Sequence, residues 1–120
     1  MPTFGEILSE LRTDRKMKQK DLGKLINLSP GSISNYETGQ RTPDAEMVCL
    51  FADIFNVTTD YMLGRTKINL SPDHLTKPFA NNDTLGSLAE KMVSLDDEQK
   101  ASLARIINDM YNSRKYRTNR

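Results

Sequence analysis

Between Gln19 and Tyr36 the chain reads QKDLGKLINLSPGSISNY, and its polar residues are spaced for hydrogen bonding to a partner rather than for catalysis. Leu22, Leu25 and Ile26 mark the buried face of a short helix, Asn-Leu-Ser a tight turn, and Ile33 and Tyr36 the buried face of a second helix. Ser29 is placed to cap that second helix and Pro30 to open it, where a missing N–H is harmless. Its outward face carries Pro30, Gly31, Ser32, Ser34 and Asn35, all small or hydrogen-bonding, where a merely solvated helix more often carries Glu and Lys. Two short helices joined by a tight turn make a helix-turn-helix, whose second helix can enter the DNA major groove. The pattern reads as a DNA-reading device.

The other reactive side chains assemble nothing. His74 is the only histidine and lies in a connector, with no sequence partner for acid–base or triad chemistry, so it reads as a solvated loop residue. Cys49 and Asp53, one helical turn apart, offer two metal ligands at most on a helix that reads as buried, which places Cys49 in the core. No HExxH, CxxC or glycine-rich phosphate loop occurs. No enzyme, metal or cofactor is therefore expected. The lone cysteine cannot form an internal disulfide, which fits a reducing cytoplasm. There is no signal-peptide pattern and no apolar run near the roughly 18 residues of a membrane helix.

A chain of 120 residues with 37% hydrophobic content and few aromatics suits one small all-α domain with an appendage. The net charge of +1 does not announce nucleic acid; the distribution says more. Arg12, Arg15, Lys16, Lys18, Lys20 and Lys24 face only Asp14 and Asp21 in the same stretch, a stripe able to grip phosphate, with a solvated charge run as the bland alternative.

Periodicity places the elements that must hold this motif. Phe4, Ile7, Leu8 and Leu11 predict a first helix over 3–14, a basic turn follows, and the second helix runs from Gln19 to near Asn27, a residue that tolerates the left-handed turn. The third spans Pro30 to Thr38 and stops at Gly39. Thr42-Pro43-Asp44 caps a fourth, whose apolar residues Met47, Val48, Leu50, Phe51, Ile54 and Phe55 cover more than one side, as a central core helix requires. A short fifth helix, begun by Thr58 or Thr59, ends at Gly64.

With Gln19 as the first motif residue, Leu22, Ile26, Leu28, Ile33 and Tyr36 take the apolar positions and Gly23 the small one where two helices touch; ISNYETGQRTPD follows from Ile33 to Asp44. In these features residues 4–64 resemble the phage-repressor-like (lambda-repressor, or Xre) helix-turn-helix regulators. Asn27 departs from the glycine usual there, and Gly31 weakens the recognition helix by about 1 kcal/mol relative to alanine. The resemblance implies a five-helix DNA-binding domain over 1–64. It implies base-facing positions at Pro30, Gly31, Ser32, Ser34 and Asn35. Gln19 would be a phosphate-contacting glutamine beside a helix N-terminus, flanked by Lys18 and Lys20, and Arg41 and Thr42 a loop on the sugar-phosphate backbone. Arg12 and Glu37 would form a structural ion pair between the first and third helices, and Tyr36 is expected in the core.

Beyond Gly64 the character changes. Residues 65–82, with Pro72 and Pro78, read as a linker with one helical turn begun at Ser71-Pro72. Leu85, Leu88, Ala89, Met92 and Val93 then recur at helical spacing, Ser94 to Asp97 reads as a capping-box variant, and Leu103, Ile106, Ile107, Met110 and Tyr111 form a second stripe. Residues 83–113 thus read as a helical hairpin too short to bury both stripes alone. Packing on the N-terminal domain is one solution; dimerisation through Leu85, Leu88, Met92, Leu103, Ile106, Ile107 and Met110 is the expectation adopted, since paired motifs read symmetric DNA. The basic tail 114–120, with Arg114, Lys115, Arg117 and Arg120, reads as disordered.

The sequence therefore points to a sequence-specific regulator of transcription, most simply a repressor acting as a homodimer on a two-fold symmetric operator. Its partners would be double-stranded DNA and a second copy, with a tetramer and an antirepressor protein left open. The alternative is a protein-interaction or antitoxin-like adaptor that docks through the hairpin.

Overall fold

The computed structural model describes residues 2–118, of which 115–118 by backbone only. The chain divides into two compact units, Met1–Asp73 and His74–Arg120.

In the first unit each helix begins at a residue whose side chain can take an orphan N–H. Thr3 caps α1 (Phe4–Asp14), Ser29 caps α3 (Pro30–Thr38), Asp44 caps α4 (Ala45–Phe55) and Thr58 caps α5 (Thr59–Met62). In α2 (Gln19–Ile26) the roles are reversed, with the Asp21 carboxylate accepting from the Lys18 N–H at 2.9 Å. Asn27 and Asn56 end α2 and α4 in the left-handed conformation that asparagine tolerates. α3 packs on α1 and α2, and α5 on α4 and α1. The core comprises residues from all five helices, with Leu8, Leu22, Ile33, Phe51, Phe55 and Met62 its largest fully buried members. Phe4, Tyr36 and Phe51 meet as a triangle with centroids 5.8–6.5 Å apart, Tyr36 edge-to-face with both phenylalanines and the phenylalanines tilted on each other.

Three helix positions differ from the sequence reading. Leu25 is 62% exposed, Leu50 is 38% exposed, and Cys49 lies on the exposed side of α4 rather than in the core. The apolar stripes of α2 and α4 are wider than the faces their neighbours cover.

The linker is more ordered than its prolines suggest. α6 (Pro72–Thr76) contains His74, half-buried rather than solvated, and the division between the units falls within this helix. In the second unit, β1 (Pro78–Ala80) and β2 (Asp83–Thr84) form an antiparallel hairpin around Asn81 and Asn82, whose φ values of 52° and 66° suit a two-residue turn. This small sheet is the one departure from an all-helical chain among the described residues.

Thr84 then caps α7 (Leu85–Val93) in a reciprocal box with Ser87. The Asp83 carboxylate accepts from Lys91 Nζ at 3.0 Å and from the Ser87 hydroxyl at 2.9 Å, and these bonds hold its pKa below the usual carboxylate value. Its stabilising contribution is complete at neutral pH and is lost as pH falls through that lowered value.

α8 (Asp97–Thr118) is capped two residues later than expected: Asp96 and Gln99 exchange bonds, while the Ser94 hydroxyl donates to the Lys91 carbonyl. The helix also continues past 113, and the end of the tail, with Arg120, lies outside the described residues. No described side chain of α8 is buried. No described helix is long and apolar enough to cross a membrane.

α1 and α3 approach closely at Gly5, where a Cβ would collide with the carbonyl oxygens of Tyr36 and Glu37. We expect Gly5→Ala to destabilise this unit by about 1–3 kcal/mol, read from the midpoint of urea unfolding; an unchanged midpoint would mean that α1 and α3 do not meet here.

Candidate nucleic-acid interface

The outward face of α3 depends on how α3 is fixed. The helix has nine residues, opens with proline and carries glycine next, so it has little intrinsic stability. Glu37, near its end, is gripped from α1. Arg12 Nε lies 2.7 Å from Glu37 Oε2 and Nη2 lies 3.0 Å from Oε1, a two-pronged pair with side chains only 13% and 7% exposed. The remaining Arg12 prong, Nη1, donates to the Met17 carbonyl at 2.8 Å. The bond to Glu37 and its negative charge raise the Arg12 pKa above the usual value, against an opposing effect of burial. The stabilisation from this shift is therefore present at all ordinary pH and lost only as pH climbs through the raised value.

Gln19 joins the same cluster. Its Nε2 donates to Glu37 Oε1 at 3.0 Å, so this residue, expected at phosphate, is first of all part of the clamp. The amide has a second hydrogen for an outside acceptor. Lys18 and Lys20 beside it are exposed, as are Lys16 and Lys24. Arg15 leaves the basic stripe: its guanidinium donates to the Phe55 carbonyl at 2.7 Å and lies 4.9 Å from that ring's centroid. There it satisfies the C-terminal end of α4.

On α3 itself Pro30, Gly31 and Asn35 are exposed, and Ser32 and Ser34 half-buried. Ser29 Oγ accepts from the Ser32 N–H at 3.1 Å and lies 3.0 Å from the Ser32 hydroxyl, so Ser32 is engaged in the cap. The Asn35 carbonyl accepts from the Arg41 N–H at 3.1 Å, which ties the following loop back to the helix. Arg41 lies over the Tyr36 ring, 5.2 Å from its centroid, and both Arg41 and Thr42 are exposed. Tyr36 is buried, as expected. The face offers short hydrogen-bonding side chains between two exposed basic flanks, a surface able to meet base edges and phosphates together.

The spacing of the turn is equally specific. A Cβ at Gly23 would collide with the Leu28 carbonyl, whose own N–H donates back to the Gly23 carbonyl at 2.8 Å. The helix-turn-helix family matches residues 8–62. Residues 8–62 are therefore similar to the helix-turn-helix family.

Several relatives of this chain are named as regulators of transcription, not as enzymes. It is 31% identical over 67 residues to the HTH-type transcriptional regulator ImmR of Bacillus subtilis, a match over 56% of this chain and 53% of that one. The chain thus spans about half the length of the first curated relatives it matches. It is 26% identical to the uncharacterized HTH-type transcriptional regulator YqaE of the same organism, over 93% of this chain and 96% of that one. A solved transcriptional regulator from Listeria innocua shares the fold, with a TM-score of 0.50 at 20% identity over 92% of this chain and 94% of that one.

The sequence alone missed the roles of Gly5, Met17 and Arg15, whose partners lie far away in the chain or on its backbone.

Truncating Arg12 would strand the Glu37 carboxylate in a half-buried site. We expect Arg12→Ala to lower the unfolding free energy by about 3 kcal/mol or more, measured by thermal or urea denaturation; an unmoved transition would remove the pair from the structural argument.

Proposed function

We propose that the chain is a sequence-specific double-stranded DNA-binding regulator, a repressor in its simplest form, acting as a homodimer on a two-fold symmetric operator in the cytoplasm. The carrying observation is the clamped, exposed face of α3: Asn35 and its small neighbours outward, with Lys18, Lys20, Arg41 and Thr42 exposed on the flanking segments. In this reading Pro30, Gly31, Ser32, Ser34 and Asn35 meet base edges, and Lys18, Gln19, Lys20, Arg41 and Thr42 meet the backbone. With few long side chains on the face, DNA shape and ordered water share the discrimination.

Dimerisation is supported by the second unit. Met92, Ile106, Ile107 and Met110 are exposed, while Leu85, Leu88 and Leu103 are half-buried. Ile106, Ile107 and Met110 continue the helical stripe begun by Leu103 on a 22-residue helix with no buried side chain described. An apolar stripe of that length is covered in a stable protein, and a second copy brings its equal. The same stripe favours a second reading, in which the hairpin docks another protein and the N-terminal domain serves as an adaptor.

Selection of random duplex DNA by the purified protein at two salt concentrations tests the first reading. An enriched inverted repeat, with half-site centres about one helical turn or a multiple apart, supports it. Weak salt-sensitive retention without enrichment would favour the adaptor. On the selected site Asn35→Ala should lose about 1–3 kcal/mol of affinity while non-specific binding stays unchanged; equal losses on both DNAs would deny Asn35 a base. The double substitution Ile106→Asp, Met110→Asp should turn a sedimenting dimer into a folded monomer. A variant that still sediments as a dimer would move the interface elsewhere.

A further inference from the structure

An apolar groove of about 380 Å³ opens in the second unit, lined by Met92 and Val93 at the end of α7 and by Lys100, Leu103 and Ile107 on α8. The last three belong to a longer pattern. Along α8 and its cap, Asp96, Lys100, Leu103, Ile107, Met110 and Arg114 follow one another at alternating steps of four and three residues. Residues so spaced share one face of a helix and form the seam by which it pairs with another helix. Leu103 is half-buried and the other five are exposed. The seam is apolar at its centre and charged at both ends, with Asp96 and Lys100 before the apolar residues and Arg114 after them.

These charges decide which way a second copy can lie. Laid side by side in the same direction, two seams would set Asp96 on Asp96, Lys100 on Lys100 and Arg114 on Arg114, and facing like charges are unfavourable. Reversed, with Leu103 of each copy opposite the partner's Ile107, Asp96 meets Arg114 at both ends of the seam. Lys100 then faces the partner's Met110, where its aliphatic stem can lie along the thioether while the ammonium reaches water. The flanks agree with this register: Ala104 meets Ala104 on one side of the two-fold axis and Ile106 meets Ile106 on the other. A slide of one heptad either way would set Arg114 or Asp96 against an apolar side chain.

We propose that α8 pairs antiparallel with α8 of a second copy, with Asp96 on the partner's Arg114 at each end and the partner's Ile107 and Met110 seated at the groove beside Met92 and Val93. The pairing rests on the dimer reading above and adds the direction and the register of the contact.

Spin labels on the full-length protein read the direction, through Ser113→Cys in a Cys49→Ser background. In this register the two labelled sites lie about 24 Å apart along the seam, from a rise of about 1.5 Å per residue; in a parallel pair they lie near the roughly 10 Å spacing of packed helices. Sedimentation reads the charges. Asp96→Lys and Arg114→Asp should each weaken the dimer about tenfold. An equimolar mixture of the two should restore it, since every end of the mixed seam then carries opposite charges. Asp96→Lys also removes the cap on the Gln99 N–H, a loss within one chain that mixing cannot mend, so recovery in the mixture isolates the contact between chains. A dimer with its labels near 10 Å would overturn the antiparallel pairing and leave the hairpin dimer standing. A dimer indifferent to both charge variants, or one that mixing does not restore, would overturn the register. A chain that sediments as a monomer at every concentration would remove the dimer reading and this pairing together.

Discussion

The pairing of Arg12 with Glu37 is the constraint on which the exposed surface of this protein depends. α3 is too short, and too rich in proline, glycine and serine, to hold a direction by itself. Burial of Ile33 and Tyr36 seats the helix on the core. The two-pronged bond to Arg12, itself braced on the Met17 carbonyl, sets the rotation. Ion pairs in such half-buried sites contribute more to geometry than to net stability, because desolvation offsets much of their attraction. Here geometry is what the surface needs.

Around that pair, polar demands are met locally, so the core can be almost wholly apolar. Ser71 is the only buried residue of polar type among those described, and no described buried side-chain polar atom lacks a partner. Arg15 and Arg41 illustrate a second economy: each lays its guanidinium over an aromatic ring of the core, Phe55 or Tyr36. Cations thereby shield ring faces at the rim of the domain while part of their hydrogen-bonding capacity stays at the surface.

The five N-terminal helices were legible because their ends are chemically marked. Ser29, Asp44 and Thr58 have side chains that suit caps, and Asn27 and Gly39 tolerate the left-handed backbone that ends a helix. Exposure was less legible. Leu25, Cys49 and Leu50 belong to stripes wider than one face, and only the neighbouring helices decide which edge is covered. The strands of the 78–84 hairpin are too short for an alternating pattern, so the pair Asn81-Asn82 was their one signal. The cap of α8 slipped because Ser94–Asp97 and Asp96–Gln99 both satisfy the pattern, and the Ser94 hydroxyl is taken by the Lys91 carbonyl. The Arg12–Glu37 pair came from family resemblance; no local spacing connects residues 25 positions apart.

The bond from Gln19 to Glu37 has a consequence for the order of events in binding. A free glutamine on a helix surface samples many rotamers, and immobilising such a side chain at an interface costs about 0.5–1.5 kcal/mol. Here folding has already stilled it, because one amide hydrogen is committed to the clamp. An anion that meets the other hydrogen would find a donor in place and aimed. The association would then be limited by encounter rather than by a search among side-chain conformations.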